Sequence, residues 1–377
     1  MTKHREDTPP HSLSDDVREL GSLYPRSQYV RELKRQLPVS AFARATSRLA
    51  FIPVHVAVIV VATLAIARGW APWPLVPLLS LAIGACFAGL TFVGHELLHG
   101  AIVRDRRWQH ALGWLTLVPF TLSPRLWQAW HNRVHHARTN LEDDPDGYPT
   151  LERYRGHRGA RFSIDVFALG GRRARGVLSL ILGFTVQSGA QLASSREYLN
   201  THERRLALVE TAASVLVWVV VAALVGFGAF LFVFLLPLLV ANAVVMAFIL
   251  TNHSLSPRVT VDDPLISGLS VTTPRAIDWL TLGFGYHVEH HLFPAMSSRH
   301  APAVRAALLA RWPERYQSMP LAAALARLHR TARVYLNATT LIDPTTGQTF
   351  PTLLPRKTAA APQPVAPTLL LGIPQGA

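Results

Sequence analysis

Cysteine and charged residues are both scarce in this chain. A single cysteine, Cys86, stands among 377 residues, which excludes an internal disulfide and a thiolate cage for zinc or an iron–sulfur cluster. Only 16% of the residues are charged, whereas a soluble domain carries roughly 25%. Hydrophobic residues make up 50% of the chain. These values argue against an ordinary soluble enzyme and favour a membrane protein.

Acidic residues are also few. The chain has 23 Asp and Glu against 37 Lys and Arg, which gives a formal net charge of +14. Such basicity is found in nucleic-acid-binding proteins, but in a chain with bilayer-length apolar segments it indicates basic loops beside anionic lipid headgroups. We therefore expect the lipid bilayer, and no nucleic acid, as a partner.

Long uncharged segments predict four membrane-spanning helices. Two uncharged runs, 51–67 and 70–94, are separated by only two residues and predict a first hairpin. A third run, 211–251, would rise roughly 60 Å as one helix, about twice the hydrocarbon core of a bilayer. It must therefore fold back, and Gly226 marks the expected bend of a second hairpin.

Two further segments are apolar but are not predicted to cross. Residues 109–124 are too few, and 176–195 contain two glutamines, so both are expected to form interfacial or re-entrant helices. The predicted fold is an all-α integral membrane protein, with two hairpins capped by a cytosolic helical region. We expect a cytosolic N-terminal segment over 1–48, the membrane domain with its cap over 49–340, and a flexible tail over 341–377.

Histidines are concentrated in three short windows. These windows hold eight of the 17 histidines in 16 positions, where random placement would put about 0.7. The eight are His95 and His99; His131, His135 and His136; and His287, His290 and His291. If helical, each window presents at least two imidazoles on one face. Neutral imidazole is a ligand for Fe, Zn, Cu and Ni. Four ligands complete one tetrahedral site, so eight imply two metal ions.

The predicted topology allows the three windows to meet. The second and third windows are separated by two spans, an even number, so the chain returns to the same side of the membrane. Arginines flank the histidine windows and are absent around Gly226, so the positive-inside rule places the N-terminus and the metal site in the cytoplasm. The 34 arginines against three lysines favour a bacterial gene, and thus a bacterial inner membrane.

Together, the windows resemble the three histidine boxes of the integral-membrane fatty acid desaturase and hydroxylase superfamily. The resemblance covers roughly residues 51–313: the first box reads HELLHG, the second is followed by TN and then DPD, and the third by LFP. It implies a non-haem di-iron centre that uses O2 and two electrons to introduce a double bond into the acyl chain of a lipid or thioester.

The resemblance also implies roles for individual residues. The eight boxed histidines would be the catalytic metal ligands, with His253 as an additional ligand and Asn252 as a supporting neighbour. Nearby carboxylates are expected to accept hydrogen bonds from the ligand N–H groups: Glu96, Glu289, Asp143, Asp144 and Asp146. A plain polar turn accounts equally well for Asp143 and Asp146.

Electrons would come from a separate protein. The chain shows neither a dinucleotide fingerprint after a strand nor the HPGG haem signature of cytochrome b5. We therefore expect an external donor of the ferredoxin, rubredoxin or cytochrome b5 type, and a fatty-acyl substrate from the bilayer.

Three alternatives stay open at this point. A lipid or carotenoid hydroxylase or ketolase would use the same di-iron centre. The first box also fits the H-E-x-x-H signature of a zinc intramembrane protease, with Glu96 as general base, but that leaves six boxed histidines unexplained. A non-catalytic membrane binding protein would consume no O2 even when supplied with iron and a reductant.

Overall fold

The computed structural model describes residues 20–167 and 176–355, and within these residues four helices are long and apolar enough to cross a membrane. They are Val39–Ala67, Trp73–Leu98, Thr201–Val225 and Phe227–His253, hereafter the first to fourth spans. The two predicted hairpins are thereby confirmed.

The second and fourth spans form the centre of the bundle. In their most apolar windows 67% and 44% of the residues are buried, compared with 11% and 6% in the first and third spans. Because the outer spans are as apolar as the inner ones, their exposed side chains are suited to contact with lipid. The inner pair carries His95 and His253 at its ends.

Local sequence explains where the third span begins and where the second hairpin turns. The third span begins with a capping box, in which the Asn200 side chain accepts the Glu203 N–H and the Glu203 carboxylate accepts the Asn200 N–H. That span ends at Gly226, whose φ of 79° is a conformation that favours glycine. Gly226 is therefore the bend that the sequence predicts.

Gly84 allows the second and fourth spans to pack closely. A Cβ atom at this position would lie 2.6 Å from the Val240 Cβ and 2.8 Å from the Pro237 carbonyl oxygen. We expect Gly84→Ala to destabilise the protein by about 1–3 kcal/mol, because one of the two helices would have to move. Gly189→Ala is the control, since its Cβ would meet nothing within 4 Å. Equal thermal unfolding midpoints of the two variants in detergent would contradict this packing.

The other helices form a cap over one end of the bundle. The α-helices outside the spans are Arg26–Lys34, Arg106–Leu117, Pro124–Trp127, His136–Arg138, Leu151–Gly156, Arg158–Phe167, Val177–Ile181, Gly183–Ala193, Pro264–Ser267, Arg275–Leu280, His287–Leu292, Ala301–Arg311 and Leu321–Arg330. Short 3-10 helices cover Val118–Phe120, Ser195–Glu197 and Ser298–His300, and a π-helix covers Gln128–His135. Another π-helix, Leu231–Leu235, lies within the fourth span. The two segments predicted not to cross, 109–124 and 176–195, form helices too short to span.

Five short strands complete the cap. Strand β1 (Ser270–Thr272) pairs in parallel with β2 (Ser318–Pro320), whereas β3 (Val334–Tyr335), β4 (Thr340–Ile342) and β5 (Thr349–Pro351) form an antiparallel sheet.

The prediction of a flexible tail from residue 341 is wrong for 341–355. Leu341 pairs with Phe350 across β4 and β5, and Leu341 packs against Ala332 and Tyr335. A few buried apolar residues are enough to hold a short hairpin against an existing core, and they leave little trace in composition. Residues 356–377, the rest of that predicted tail, lie outside the described residues, as do residues 1–19 of the predicted N-terminal segment.

Candidate metal centre

Each histidine window lies on a helical element at the capped end of the bundle. His95 occupies the last turn of the second span and His99 directly follows it. The second window lies on the π-helix Gln128–His135 and continues into the next helix, and the third forms the helix His287–Leu292. His253 is the last residue of the fourth span.

Hydrogen bonds fix these elements to one another. The side-chain amides of Gln128 and Asn132 both donate to the Leu98 carbonyl, at 2.8 and 3.0 Å, and so cap the end of the first-window helix with the second-window helix. In β1, the Ser270 hydroxyl accepts the Val288 N–H at 3.0 Å, which anchors the start of the third-window helix.

Among the described residues, the largest group of side chains that could hold a metal ion consists of five histidines, hereafter the five-histidine cluster. Its members are His95, His99, His131, His136 and His290, and their candidate ligand atoms all lie within 4.8 Å of one another. The Nε2 atom of His136 is 3.2 Å from the Nε2 atoms of both His131 and His290. Histidines from all three windows therefore meet at one position, where they could bind a single metal ion.

The second group, the three-histidine cluster, consists of His135, His253 and His291, again with candidate ligand atoms within 4.8 Å of one another. His287 adjoins it, with its Nε2 atom 2.5 Å from that of His253. The structure thus gathers all eight boxed histidines together with His253. Whether each one binds metal stays a prediction.

The second window is divided between the two clusters. His131 and His136, five residues apart, belong to the five-histidine cluster, whereas His135 belongs to the three-histidine cluster. A π-helix has i→i+5 hydrogen bonds, which bring residues five apart onto one side. An α-helical spacing would instead align His131 with His135, so this division could not be predicted from the sequence.

The nitrogen atoms fit metal ligation better than hydrogen bonding. Within the described residues, His99 Nε2, His291 Nε2 and His136 Nδ1 are buried without a hydrogen-bond partner. Metal–imidazole bonds of about 2.0–2.1 Å place neighbouring ligand nitrogens about 3 Å apart, close to the separations around His136. A cluster of neutral nitrogen donors suits the borderline transition metals.

Burial also favours the neutral imidazole that a metal needs. It lowers the pKa of the imidazoles outside the spans, namely His99, His131, His136, His287, His290 and His291. For His135, burial lowers the pKa, but the carboxylates of Asp144 and Asp146 outweigh it and raise the pKa to about 9. A histidine binds metal through an unprotonated ring nitrogen, so the nitrogen of His135 that faces the cluster must be free of a proton when metal is bound.

Two of the predicted carboxylates contact histidines. The Asp144 Oδ1 atom lies 2.9 Å from His135 Nδ1, while its Oδ2 atom accepts the Asn140 N–H at 2.7 Å. The Asp146 Oδ2 atom lies 3.5 Å from His135 Nδ1 and 3.9 Å from His131 Nδ1. That both carboxylates orient imidazoles for metal binding stays a prediction.

For Glu96 and Asp143 the predicted contact with a histidine is wrong. The Glu96 carboxylate pairs with Arg48 and accepts the Ser298 N–H at 2.8 Å. Successive helix residues differ by roughly 100° in direction, so the neighbour of an inward-facing histidine points elsewhere. Asp143 is exposed and pairs with Arg138.

Glu289 likewise has partners other than histidine. Its carboxylate is fully buried and accepts hydrogen bonds from Ser270 at 2.6 Å, Tyr316 at 2.6 Å and Arg305 at 3.0 Å. It therefore ties the third-window helix to β1 and to the helix Ala301–Arg311. Asn252 is fully buried, and within the described residues its amide atoms have no hydrogen-bond partner, so its supporting role stays a prediction.

A cleft leads to the five-histidine cluster. Its walls include His95, His287 and His290 together with the apolar side chains of Phe92 and Phe284. Histidines of both the first and the third windows therefore border this cleft.

Known proteins share these features. A protein-family model described as Fatty acid desaturase matches residues 68–322. A fatty acid desaturase of Bacillus subtilis is 26% identical over 244 residues, which cover 58% of this chain and 64% of the relative. A chloroplastic omega-6 fatty acid desaturase of Spinacia oleracea is 23% identical over 257 residues, covering 65% and 56%. An sn-1 acyl-lipid omega-3 desaturase (ferredoxin) of Synechocystis is 28% identical over 135 residues, covering 34% and 37%.

The chain thus spans less than two thirds of the length of these relatives. The family model, however, covers more than half of the chain and includes all three histidine windows. This multi-pass membrane protein therefore belongs to the fatty acid desaturase family.

Proposed function

We propose that this chain is an O2-dependent, di-iron membrane desaturase that introduces a double bond into the acyl chain of a lipid or thioester. The observation that carries the proposal is the convergence of nine imidazoles, from three windows and the fourth span, into two adjoining clusters. Bound iron would supply, with O2 and two electrons, the oxidising power to remove hydrogen from an unactivated methylene pair, which side chains alone lack.

The two clusters would each hold one iron. The five-histidine cluster offers ligands from all three windows, and the three-histidine cluster gains a fourth ligand from His287. Asp144 accepts the Nδ1–H of His135 and so directs the opposite ring nitrogen toward the cluster. Phe92 and Phe284 give the cleft beside His95 and His290 an apolar lining.

Electrons and substrate would arrive from outside the chain. We propose an acidic external donor of the ferredoxin, rubredoxin or cytochrome b5 type, attracted by the net charge of +14. One relative carries ferredoxin in its name. We further propose a location in a bacterial inner membrane, with the clusters on the cytoplasmic side, as the positive-inside rule requires.

Asp144 and Asp143 form a matched pair for testing the role of an orienting carboxylate. Asp144→Asn should weaken metal binding by roughly 10- to 100-fold, because an amide is a poorer acceptor for the His135 N–H. Asp143→Asn should leave metal binding unchanged, since Asp143 is exposed and pairs only with Arg138 among the residues described. Competition with a chelator measures both affinities, and equal affinities would exclude this role for Asp144.

Expression in a host lacking the activity, followed by gas chromatography and mass spectrometry of total fatty acids, tests the reaction itself. A desaturase yields products lighter by 2 Da, whereas a hydroxylase on the same centre yields products heavier by 16 Da. Unchanged lipids in cells that contain the iron-loaded protein would contradict desaturation of the host's acyl chains.

The zinc-protease alternative has little support from the position of Glu96. A general base needs a carboxylate free to accept a proton from water, but this one is paired with Arg48 and hydrogen-bonded to Ser298. A protease would also require one zinc ion, and metal analysis separates that outcome from two irons.

A further inference from the structure

The chain segment that precedes the helix Phe51–Ala67 of the first span contacts all three histidine windows. Residues 20–48 precede the part of the chain that matches the family, 68–322. Two arginines of this segment, Arg26 and Arg48, have guanidinium groups that reach the elements carrying the windows. We propose that they are positioning residues that hold the windows at metal-binding distance, an inference that rests on the proposed function.

Arg48 connects the first window to the loops on both sides of the third. Its guanidinium pairs with Glu96, donates to the Ser298 hydroxyl at 2.9 Å and reaches the Leu282 carbonyl at 3.4 Å. Glu96 lies between His95 and His99, whereas Leu282 and Ser298 precede and follow the third window. The arginine therefore links the helix that carries two ligands to the chain around three more.

The residues that Arg48 contacts also line the cleft beside the five-histidine cluster. Glu96, Leu282 and Ser298, the three partners of Arg48, all line the cleft that leads to His95 and His290. The Arg48 and Glu96 side chains are 13% and 8% exposed, so the pair is largely shielded from water and weakly screened by salt. One terminal guanidinium nitrogen of Arg48 makes all three contacts, and a lysine would keep the charge but place its ammonium on a side chain of different length and shape.

Arg26 connects the second and third windows through their backbones. One of its terminal nitrogens donates to the His136 carbonyl at 3.3 Å and to the His291 carbonyl at 3.4 Å. His136 belongs to the five-histidine cluster and His291 to the three-histidine cluster. A single guanidinium thus bridges the backbones of one histidine from each cluster.

The segment is anchored independently of these two side chains. Tyr29 and Leu33 are fully buried, and the Tyr29 hydroxyl donates to Asp263 at 3.1 Å. Asp263 also pairs with Arg315 at 2.6 Å. Loss of either guanidinium should therefore leave the N-terminal helix, Arg26–Lys34, in place and affect mainly the geometry of the clusters.

Metal retention tests the proposal without relying on activity. The full chain and its Arg26→Gln and Arg48→Gln variants are purified in detergent, loaded with Co²⁺ and mixed with excess chelator. We expect Arg48→Gln to release Co²⁺ roughly 10- to 100-fold faster and Arg26→Gln about tenfold faster, with altered Co²⁺ absorption bands. Arg44→Gln and Arg35→Gln, exposed positions in the same segment, should behave as the unmodified protein.

Thermal unfolding of the metal-free proteins separates positioning from a general structural role. The proposal predicts that metal-free Arg26→Gln unfolds at the temperature of the controls. Arg48→Gln leaves the largely buried Glu96 carboxylate without its cation and should unfold at a lower temperature. The double variant Arg48→Gln/Glu96→Gln removes that unpaired charge, and the proposal predicts that it regains metal-free stability but still releases Co²⁺ faster than the controls. If a glutamine variant does not fold, Arg48→Lys or Arg26→Lys takes its place, with intermediate release rates expected because the charge is retained.

Two outcomes would overturn the inference alone. One is a Co²⁺ release rate equal to that of the controls. The other is faster release only in those variants whose metal-free form also unfolds at a lower temperature. An unmodified protein that binds no metal at all would instead overturn the proposed function together with this inference.

Discussion

Replacing His135 with alanine is expected to lower product formation by roughly 1,000-fold or more and to remove one of two bound irons, because the groups of a catalytic unit act together. The His135 ring centroid lies 4.8 Å from that of His253 and 5.2 Å from that of His291, at the centre of the three-histidine cluster. Alanine also leaves the buried Asp144 carboxylate without its imidazole partner. Iron per chain and the fatty acid profile at equal expression measure the two effects.

The control for this replacement is His329→Ala. His329 is exposed on the helix Leu321–Arg330, far in sequence from the three windows, and its removal should change neither iron content nor products. If His135→Ala kept full iron and full activity, the three-histidine cluster would have no part in catalysis.

Replacing Glu289 with alanine is expected to cost about 3–5 kcal/mol of stability, because it leaves a buried guanidinium uncompensated. Glu289 is fully buried and accepts hydrogen bonds from Arg305, Tyr316 and Ser270. The third-window helix would lose its main attachment to the cap, so metal binding should decline together with stability. Denaturant unfolding in detergent, followed by tryptophan fluorescence, measures the change.

An exposed ion pair provides the matched control. The side chains of Asp143 and Arg138 are 53% and 52% exposed, compared with 0% for Glu289 and 18% for Arg305. Since exposed pairs contribute about 0–1 kcal/mol, Asp143→Ala should have little effect. Equal losses of stability in the two variants would show that burial of the Glu289 network is not what stabilises the cap.

Features that depend on composition, on the length of apolar runs and on the spacing of histidines could be predicted from the sequence. Hydropathy identifies the four spans, because a bilayer requires about 20 apolar residues per helix. The bend at Gly226 follows from the length of the apolar run, and the density of histidines identifies the windows. The even number of spans between the second and third windows correctly brings His136 and His290 to the same end of the bundle.

Features that depend on side-chain direction could not be predicted. The choice of Asp144 over Asp143, one residue away, depends on which way a turn presents each carboxylate. The division of the second window depends on a π-helix, for which the sequence has no clear signal. For Glu96 a signal was available: a carboxylate inside an apolar helix needs a cationic partner, and Arg48, just before the uncharged run 51–67, is a natural candidate.

The most direct test of the central claim is the iron content of purified protein reconstituted with Fe²⁺ in the absence of O2, together with that of two variants. The claim predicts two irons per chain in the unmodified protein. It predicts one iron in both the double variant His99→Ala/His136→Ala and the single variant His291→Ala, because each leaves three histidines in one of the two clusters, fewer than the four that complete a site. A single zinc ion per chain, or iron binding unaffected by either replacement, would contradict it.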